Sequence, residues 1–263
     1  MNNDIHIQRN SLESHIYCSW DQILTELKKA IALNIEIINK FGFDNITVEA
    51  ITPKKDDSKN YHIIKDAINY TQQALNELKL IAKISQNTFC NVGVELFFLV
   101  KDIFDKSHVV SSITIDLVTG NNEKLNYINK NNTPESVAVI KNIVMDSIDN
   151  FILLLIEKAE GSFPLWLAPI QVIILPISEK YLEQSTLMFQ ILKKEGFRVE
   201  IDSSNTTIQS RIRHFEIEKI PYCLIIGDKE IKTNSISVRG RDGKELGLIR
   251  IEEFISKLYS EIK

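Results

Sequence analysis

Glu160-Gly161-Ser162-Phe163-Pro164-Leu165-Trp166-Leu167-Ala168-Pro169-Ile170-Gln171-Val172-Ile173-Ile174-Leu175-Pro176-Ile177-Ser178 is the stretch around which the chain is organised. Gly161, Pro164 and Pro169 rule out one continuous helix, because each proline fixes φ and removes a backbone donor. Phe163, Leu165, Trp166 and Leu167 are too apolar for a free linker. The run Ile170 to Leu175 has strand length and is bounded by Pro176 and Ser178. The string reads as a packed connector that feeds the first strand of a second domain. The expected domains are therefore 1–163 and 164–263.

Composition agrees with two globular domains. The 263 residues are 44% hydrophobic and 25% charged, with no low-complexity tract. Net charge is −4, which gives no overall nucleic-acid signature. The charge is unevenly placed: residues 168–263 carry 15 Lys+Arg against 14 Asp+Glu, whereas residues 1–167 carry 16 against 21. Cys18, Cys90 and Cys223 are odd in number and widely spaced, the pattern of reduced thiols in a cytoplasmic protein. No signal segment and no membrane-spanning run is visible, so a soluble cytoplasmic protein is expected.

Upstream of the connector, strands are expected within Ile5 to Cys18, and Ser19-Trp20-Asp21-Gln22 has the form of a capping box. Ile23, Leu27, Ile31, Ile35 and Ile38 then mark one helix face, stopped at Gly42. Asn45 to Ile51 reads as a strand, Pro53 to Ser58 as a loop, and Tyr61 to Leu80 as a second amphipathic helix. Val92 to Ile103 and His108 to Leu117 look like paired strands. Thr133-Pro134 predicts the start of a long helix whose face, Ile140, Ile143, Val144, Ser147, Ile148, Phe151 and Leu155, runs to Gly161. Downstream, strands are expected at 170–175, 197–201, 221–226 and 235–239, alternating with helices at 179–195, 206–219 and 251–262. The first part reads as α+β with an antiparallel sheet, and the second as α/β with a mainly parallel sheet.

The connector resembles the junction between catalytic core and anticodon-binding domain in threonyl-tRNA synthetases, which read Gly-x-Phe-Pro-Leu-Trp-Leu-Ala-Pro-x-Gln-Val there. A weaker likeness covers nearly the whole chain. Ser11-Leu12-Glu13-Ser14-His15-Ile16-Tyr17-Cys18 resembles the family's Gln-Asp-Asp-Ala-His-Ile-Phe-Cys, and Asp146-Ser147-Ile148-Asp149-Asn150-Phe151 its Gly-Ser-Leu-Glu-Arg-Phe. The resemblance implies a truncated class II synthetase core followed by an α/β anticodon-binding domain with a mainly parallel or mixed sheet. It also implies ATP and zinc as ligands, and the departures argue against both. The arginine of the last motif is Asn150, a lysine near the adenylate is Glu95, a glutamine is Thr114, and the arginines before the first string are Ile5 and Ile7. Each change removes charge or donors that an in-line attack on a triphosphate needs. Of the family's zinc ligands only His15 matches. The second histidine aligns with Lys141, whose ammonium has no lone pair, and the cysteine position falls before Met1. Neither ATP nor zinc is expected to bind. Read without the likeness, His15 is an ordinary hydrogen-bonded strand histidine, as His6, His62 and His108 are ordinary.

The second domain departs less. The family's anticodon-reading Asn, Arg, Gly-Asp-Lys-Glu turn and Arg match Asn205, Lys219, Gly227-Asp228-Lys229-Glu230 and Arg239. Unstacked bases are read on their edges, which calls for an acceptor (Glu230), an amide (Asn205) and planar donors (Arg239, Arg241). Flanking phosphates call for Arg211, Arg213, Lys229 or Lys244. Taken singly, Arg211, His214 and Glu218 read equally as the solvated face of a helix, and Asp242-Gly243 as a hairpin turn. Three functions fit: a non-catalytic relative that binds a threonine-type tRNA, a split ligase whose other part lies on another chain, or an accessory subunit docking on a synthetase. A homodimer is a further expectation.

Overall fold

A computed structural model describes residues 10–54, 60–87 and 92–262 and divides into two compact units, Met1–Leu155 and Ile156–Lys263. Ile5, His6, Ile7, Cys90 and the loop residues 55–58 lie outside the described residues.

The first unit is built on β1 (Leu12–Cys18), α1 (Ile23–Lys40), β2 (Thr47–Thr52), α2 (Tyr61–Glu77), β3 (Ala82–Gln86), β4 (Gly93–Lys101) and β5 (Ser107–Asp116). A one-turn α3 (Thr119–Asn122), a small ribbon of β6 (Asn126–Ile128) and β7 (Pro134–Ser136), then β8 (Ala138–Met145) and α4 (Ile148–Ala159) follow. Six strands form one sheet in the order β1-β8-β5-β4-β2-β3, antiparallel except for the β2–β3 pair. As expected, Gln22 and Ser19 close a capping box, with Ser19 N donating to Gln22 Oε1 at 3.0 Å. Gly42 ends α1 with φ +88°, a conformation that costs glycine nothing.

α1 and α2 pack on one face of the sheet. Ile23, Leu27, Ile31 and Ile38 of α1, and Ile64, Ala67 and Leu75 of α2, are buried with Val48, Ala50, Val94, Leu96, Phe98, Ile113 and Ile140 of the strands. One polar pair sits in this core: Asn34 Nδ2 of α1 donates to Asn142 Oδ1 of β8 at 2.8 Å.

The long helix expected from Thr133 is a correction. Residues 134–136 and 138–145 are strands, and the helix begins only at Ile148, where Ser147 Oγ accepts from Asn150 N at 3.3 Å. β8 carries apolar residues on both of its faces, and a near-continuous apolar run mimics helical spacing when read by period alone. Val137, Val139, Ile140, Ile143 and Val144 are β-branched and favour the strand.

The second unit holds β9 (Val172–Pro176), α5 (Leu182–Lys194), β10 (Val199–Ile201), α6 (Ile208–Ile217), β11 (Tyr222–Ile226), a short α7 (Asp228–Thr233), β12 (Ile236–Gly240), β13 (Glu245–Ile249) and α8 (Ile251–Ile262). Its sheet runs β10-β9-β11-β12-β13. The β10–β9 and β9–β11 pairs are parallel, and the β11–β12 and β12–β13 pairs antiparallel, so the sheet is mixed rather than mainly parallel. The hairpin expected at Asp242-Gly243 joins β12 to β13, with Gly243 at φ +76°. Leu192 of α5 and Phe254 and Leu258 of α8 cluster on one face with Val172, Ile174, Leu224 and Val238. Phe215 of α6 packs on the other with Ile173, Leu175 and Cys223.

Candidate nucleic-acid interface

The connector that opens the second unit is held by side chains aimed at its carbonyls. Lys219 Nζ donates to Glu160 O and an Arg241 Nη1 donates to Phe163 O. Gln171 Nε2 donates to Leu165 O at 2.8 Å. Arg198 spans two further carbonyls, Nη2 to Trp166 O at 2.8 Å and Nε to Ala168 O at 2.9 Å. An irregular, proline-broken backbone cannot satisfy its own polar groups, so these bonds replace the missing ladder. Lys219 and Arg241, expected to meet RNA, each spend one donor on the connector. Arg198 was not foreseen, and only its position just before a short strand hinted at it.

Glu230 is also committed. It sits in the first turn of α7, buried, with Oε2 accepting from Gly227 N at 2.9 Å and Oε1 from Ser237 Oγ at 2.6 Å. The expected turn at Gly227–Glu230 is thus a helix start whose third residue reaches back to the cap. A base edge would have to compete with these two bonds for a carboxylate that is buried.

Arg239 lies on the sheet face that α6 occupies. Register places it opposite Cys223, and places Ser237, two residues earlier, opposite Ile225 and Leu248. Arg239 Nη2 donates to Glu245 Oε1 at 2.6 Å, and Nη1 lies 3.7 Å from Glu216 Oε1 of α6, while its Nε is buried with no partner. Ser237, Arg239 and Leu248 are only partly covered, so β12 and β13 present a polar strip beside α6.

Asn205 and Arg211 meet at the other end of α6. Asn205 is exposed in the loop between β10 and α6, and both residues line a crevice of about 280 Å³ at the carboxyl ends of β9 and β10. Arg211 is 5% exposed, with Nη1 donating to Asp202 O at 2.8 Å. Arg211 and Glu216, which mark the two groups on α6, are five residues apart, about 7.5 Å along its axis. Burial in the apolar cluster under α6 pushes the Cys223 thiol up to about 12.

In the first unit, four of the residues singled out in the sequence fall in one row. Cross-strand register puts His15 opposite Lys141, Lys141 opposite Thr114, and Thr114 opposite Glu95, all on the sheet face away from α1 and α2. Lys141 Nζ lies 3.0 Å from Asp116 Oδ2, and the Asp116 carboxylate also accepts from Thr119 Oγ1 at 2.6 Å and Thr119 N at 2.8 Å. Burial pushes the Asp116 carboxyl up, but the Thr119 bonds and Lys141 outweigh it and hold it below the usual range. Burial raises Glu95, opposed only in part by Lys141. Asn150 is exposed near the start of α4. His15 Nε2 is 2.8 Å from Glu13 Oε1. No group of three His, Cys, Asp or Glu among the described residues is arranged to hold a metal. With an ammonium facing His15, the row does not fit zinc, and with Glu95 in line and its lysine already paired it does not fit a triphosphate.

Residues 171–261 match the family described as Anticodon binding domain. The threonine–tRNA ligase of Buchnera aphidicola subsp. Baizongia pistaciae is 36% identical over 250 residues, 95% of this chain. That of Thermotoga neapolitana is 32% identical over 251 residues, again 95% of this chain. The chain is similar to threonyl-tRNA synthetases over nearly its whole length. It spans 39% of the length of those two relatives. The RNA binding domain of threonyl-tRNA synthetase from Cryptosporidium parvum Iowa II superposes with a TM-score of 0.88 at 25% identity, covering 96% of this synthetase-like chain and 64% of that one. No helix among its described residues is long and apolar enough to cross a membrane.

Proposed function

We propose that this synthetase-like chain binds tRNA through residues 171–261 and forms no aminoacyl adenylate. The observation that carries the reading is the anticodon-binding match over those residues. Asn205 and Arg239, two of the residues expected to read bases, keep part-exposed polar groups at either end of α6. The lack of catalysis is supported by the row His15, Lys141, Thr114 and Glu95, where the one amine is paired with Asp116 and a carboxylate stands in line with it. Phosphoryl chemistry depends on cationic groups aimed at developing charge, and this row offers none that is free.

Fluorescence titration of an anticodon stem-loop carrying a threonine-type anticodon tests binding. Tighter binding than to a scrambled loop is expected, with affinity falling as salt rises because phosphate contacts release counterions. Equal affinity for the two loops rejects the reading. ATP–pyrophosphate exchange with threonine tests the other half, and measurable exchange by this chain alone refutes it. Docking on a synthetase, the accessory reading, is checked by co-purification in the same preparations.

A further inference from the structure

We propose that the outer edge of β1 pairs with the same edge of a second copy of this chain, antiparallel and centred on Ser14, so that the two sheets become one. This does not rest on the tRNA-binding reading.

β1 is an end strand. Among the described residues it pairs with β8 and with no strand on its other side. Alternate residues of its seven therefore turn N–H and C=O outward with no ladder to receive them. An edge of this length is a template for another strand, and proteins that leave one free guard it with lysine, proline or a bulge. Leu12-Glu13-Ser14-His15-Ile16-Tyr17-Cys18 contains no lysine, arginine or proline. The one shift in its pairing with β8 is an extra residue, Val144, on the β8 side, which leaves β1 itself regular. Two large apolar side chains on it are uncovered, Leu12 at 54% and Tyr17 at 59% exposure.

The order of residues selects a second copy as the occupant. Residues opposite each other across an antiparallel pair share a sheet face, so a twofold axis between two β1 strands passes at a residue and not between two. Centred on Glu13, the pairing sets two carboxylates against each other. Centred on His15, it sets two imidazoles together and leaves Glu13 against the partner's Tyr17. Centred on Ser14, every contact is complementary. Glu13 faces the partner's His15, and His15 the partner's Glu13, on the face that carries Lys141, Thr114 and Glu95. On the other face Leu12 meets the partner's Ile16, twice over by symmetry, and the small Ser14 meets its own copy on the axis. Within one chain Glu13 Oε1 lies 2.8 Å from His15 Nε2, so the axis closes a ring of two carboxylates and two imidazoles. Opposite charges and apolar pairs directly across are what stabilise a strand pair, and like charges there weaken it. The contact is isologous and closes at two copies.

Sedimentation equilibrium of the RNA-free chain reads the association. A seven-residue edge is small for an interface, so a weak dimer with Kd about 10–100 μM is expected. Glu13→Lys sets like charges at both cross-strand positions and is expected to weaken the dimer about tenfold. Adding His15→Glu reverses the other sign and is expected to restore it. Ser14→Cys is expected to give a covalent dimer with a short bis-maleimide, above the level that the native cysteines give. Ser85→Cys, on the opposite edge strand β3, is expected to give none above that level. Glu13, Ser14, His15 and Ser85 are all exposed, so the variants keep the fold. A monomer at about 500 μM overturns the proposal. So does a dimer that Glu13→Lys leaves unchanged, one that His15→Glu fails to restore, or one crosslinked equally through Ser85→Cys. Dimerisation only after removal of residues 2–9 would give the edge to the chain's own first residues. A monomeric chain that loses a co-purifying synthetase on Glu13→Lys would give it to that partner, and either result overturns the pairing of two copies.

Discussion

The Lys141 ammonium stands 3.0 Å from a carboxylate, that of Asp116, which is fully buried. Removing the amine leaves that carboxylate charged and unpaired in the sheet. Lys141→Met is expected to cost about 3 kcal/mol in urea unfolding, in the range for breaking a buried pair from one side. Asp116→Asn combined with Lys141→Met should cost clearly less than the two single losses added, because the pair acts as a unit. Asp116 is held below the usual carboxylate range, so its contribution is present above the unfolded value near pH ~4 and is lost as pH falls through the folded value. Acid titration of stability is expected to lose this component in the double variant.

Glu95 carries the opposite sign. Burial raises its pKa, so the folded chain binds that proton more tightly than the unfolded chain. The penalty is absent below about pH 4, the unfolded glutamate range, and grows as pH rises through the folded value. Glu95→Gln is therefore expected to raise Tm at pH 7 and to leave it unchanged at pH 4. A drop at pH 7 would show that the carboxylate is held by a partner the geometry does not supply.

Much of this architecture is legible in the residues, and the failures have physical causes. The faces of α1, α2 and α8 follow from single apolar stripes, since each helix buries one side. β8 imitates a helix because it carries apolar residues on both faces, Val139 and Ile143 on one and Ala138 and Ile140 on the other, and Ile140, Ile143 and Val144 fall at helical intervals by coincidence. β3 and β13 were missed because they lie at sheet edges and carry polar or exposed residues such as Lys83, Ser85, Glu245 and Gly247. In the candidate site, residue type was a poor guide to vacancy. Lys219 and Arg241 are charged in sequence, yet each is used by backbone far away in sequence, 59 and 78 residues off.

Arg198 ties two connector carbonyls, those of Trp166 and Ala168, and its own N–H donates to Gln171 Oε1 at 2.9 Å. Arg198→Ala is expected to destabilise the second unit by about 2 kcal/mol, the sum of two lost charge-assisted bonds and their desolvated acceptors. Arg198→Lys should rescue less than half of this, because an ammonium lacks the planar fork that reaches both carbonyls. Lys219→Ala and Arg241→Ala are expected to lower stability while leaving stem-loop affinity within twofold. A tenfold affinity loss in either would restore it to the RNA contacts.

The thiols give a simpler check on burial. Burial lifts Cys18 to about 11, helped by Glu26 and Asp21, and Cys223 to about 12. Thiolate is the reactive species, so both are expected to resist a disulfide reagent at pH 8 in the native chain and to react fully in denaturant. Rapid native labelling of Cys223 would mean that α6 lifts from the sheet.

Arg239 offers the sharpest test of the interface, because two carboxylates already hold it. Glu245 lies 2.6 Å away and mostly exposed, and Glu216 lies 3.7 Å away. An incoming base edge or phosphate must compete with both, and exposed pairs of this kind contribute only about 0.2–1 kcal/mol. Glu245→Gln removes the nearer competitor and is expected to tighten stem-loop binding about two- to fivefold, the factor that such an energy corresponds to. Arg239→Ala should weaken binding about tenfold or more if the guanidinium meets a base edge. In the double variant the gain from Glu245→Gln should vanish, since its effect runs through the arginine. A gain that survives without Arg239 would assign it to general relief of negative charge on the strip, and would remove Arg239 from the proposed contacts.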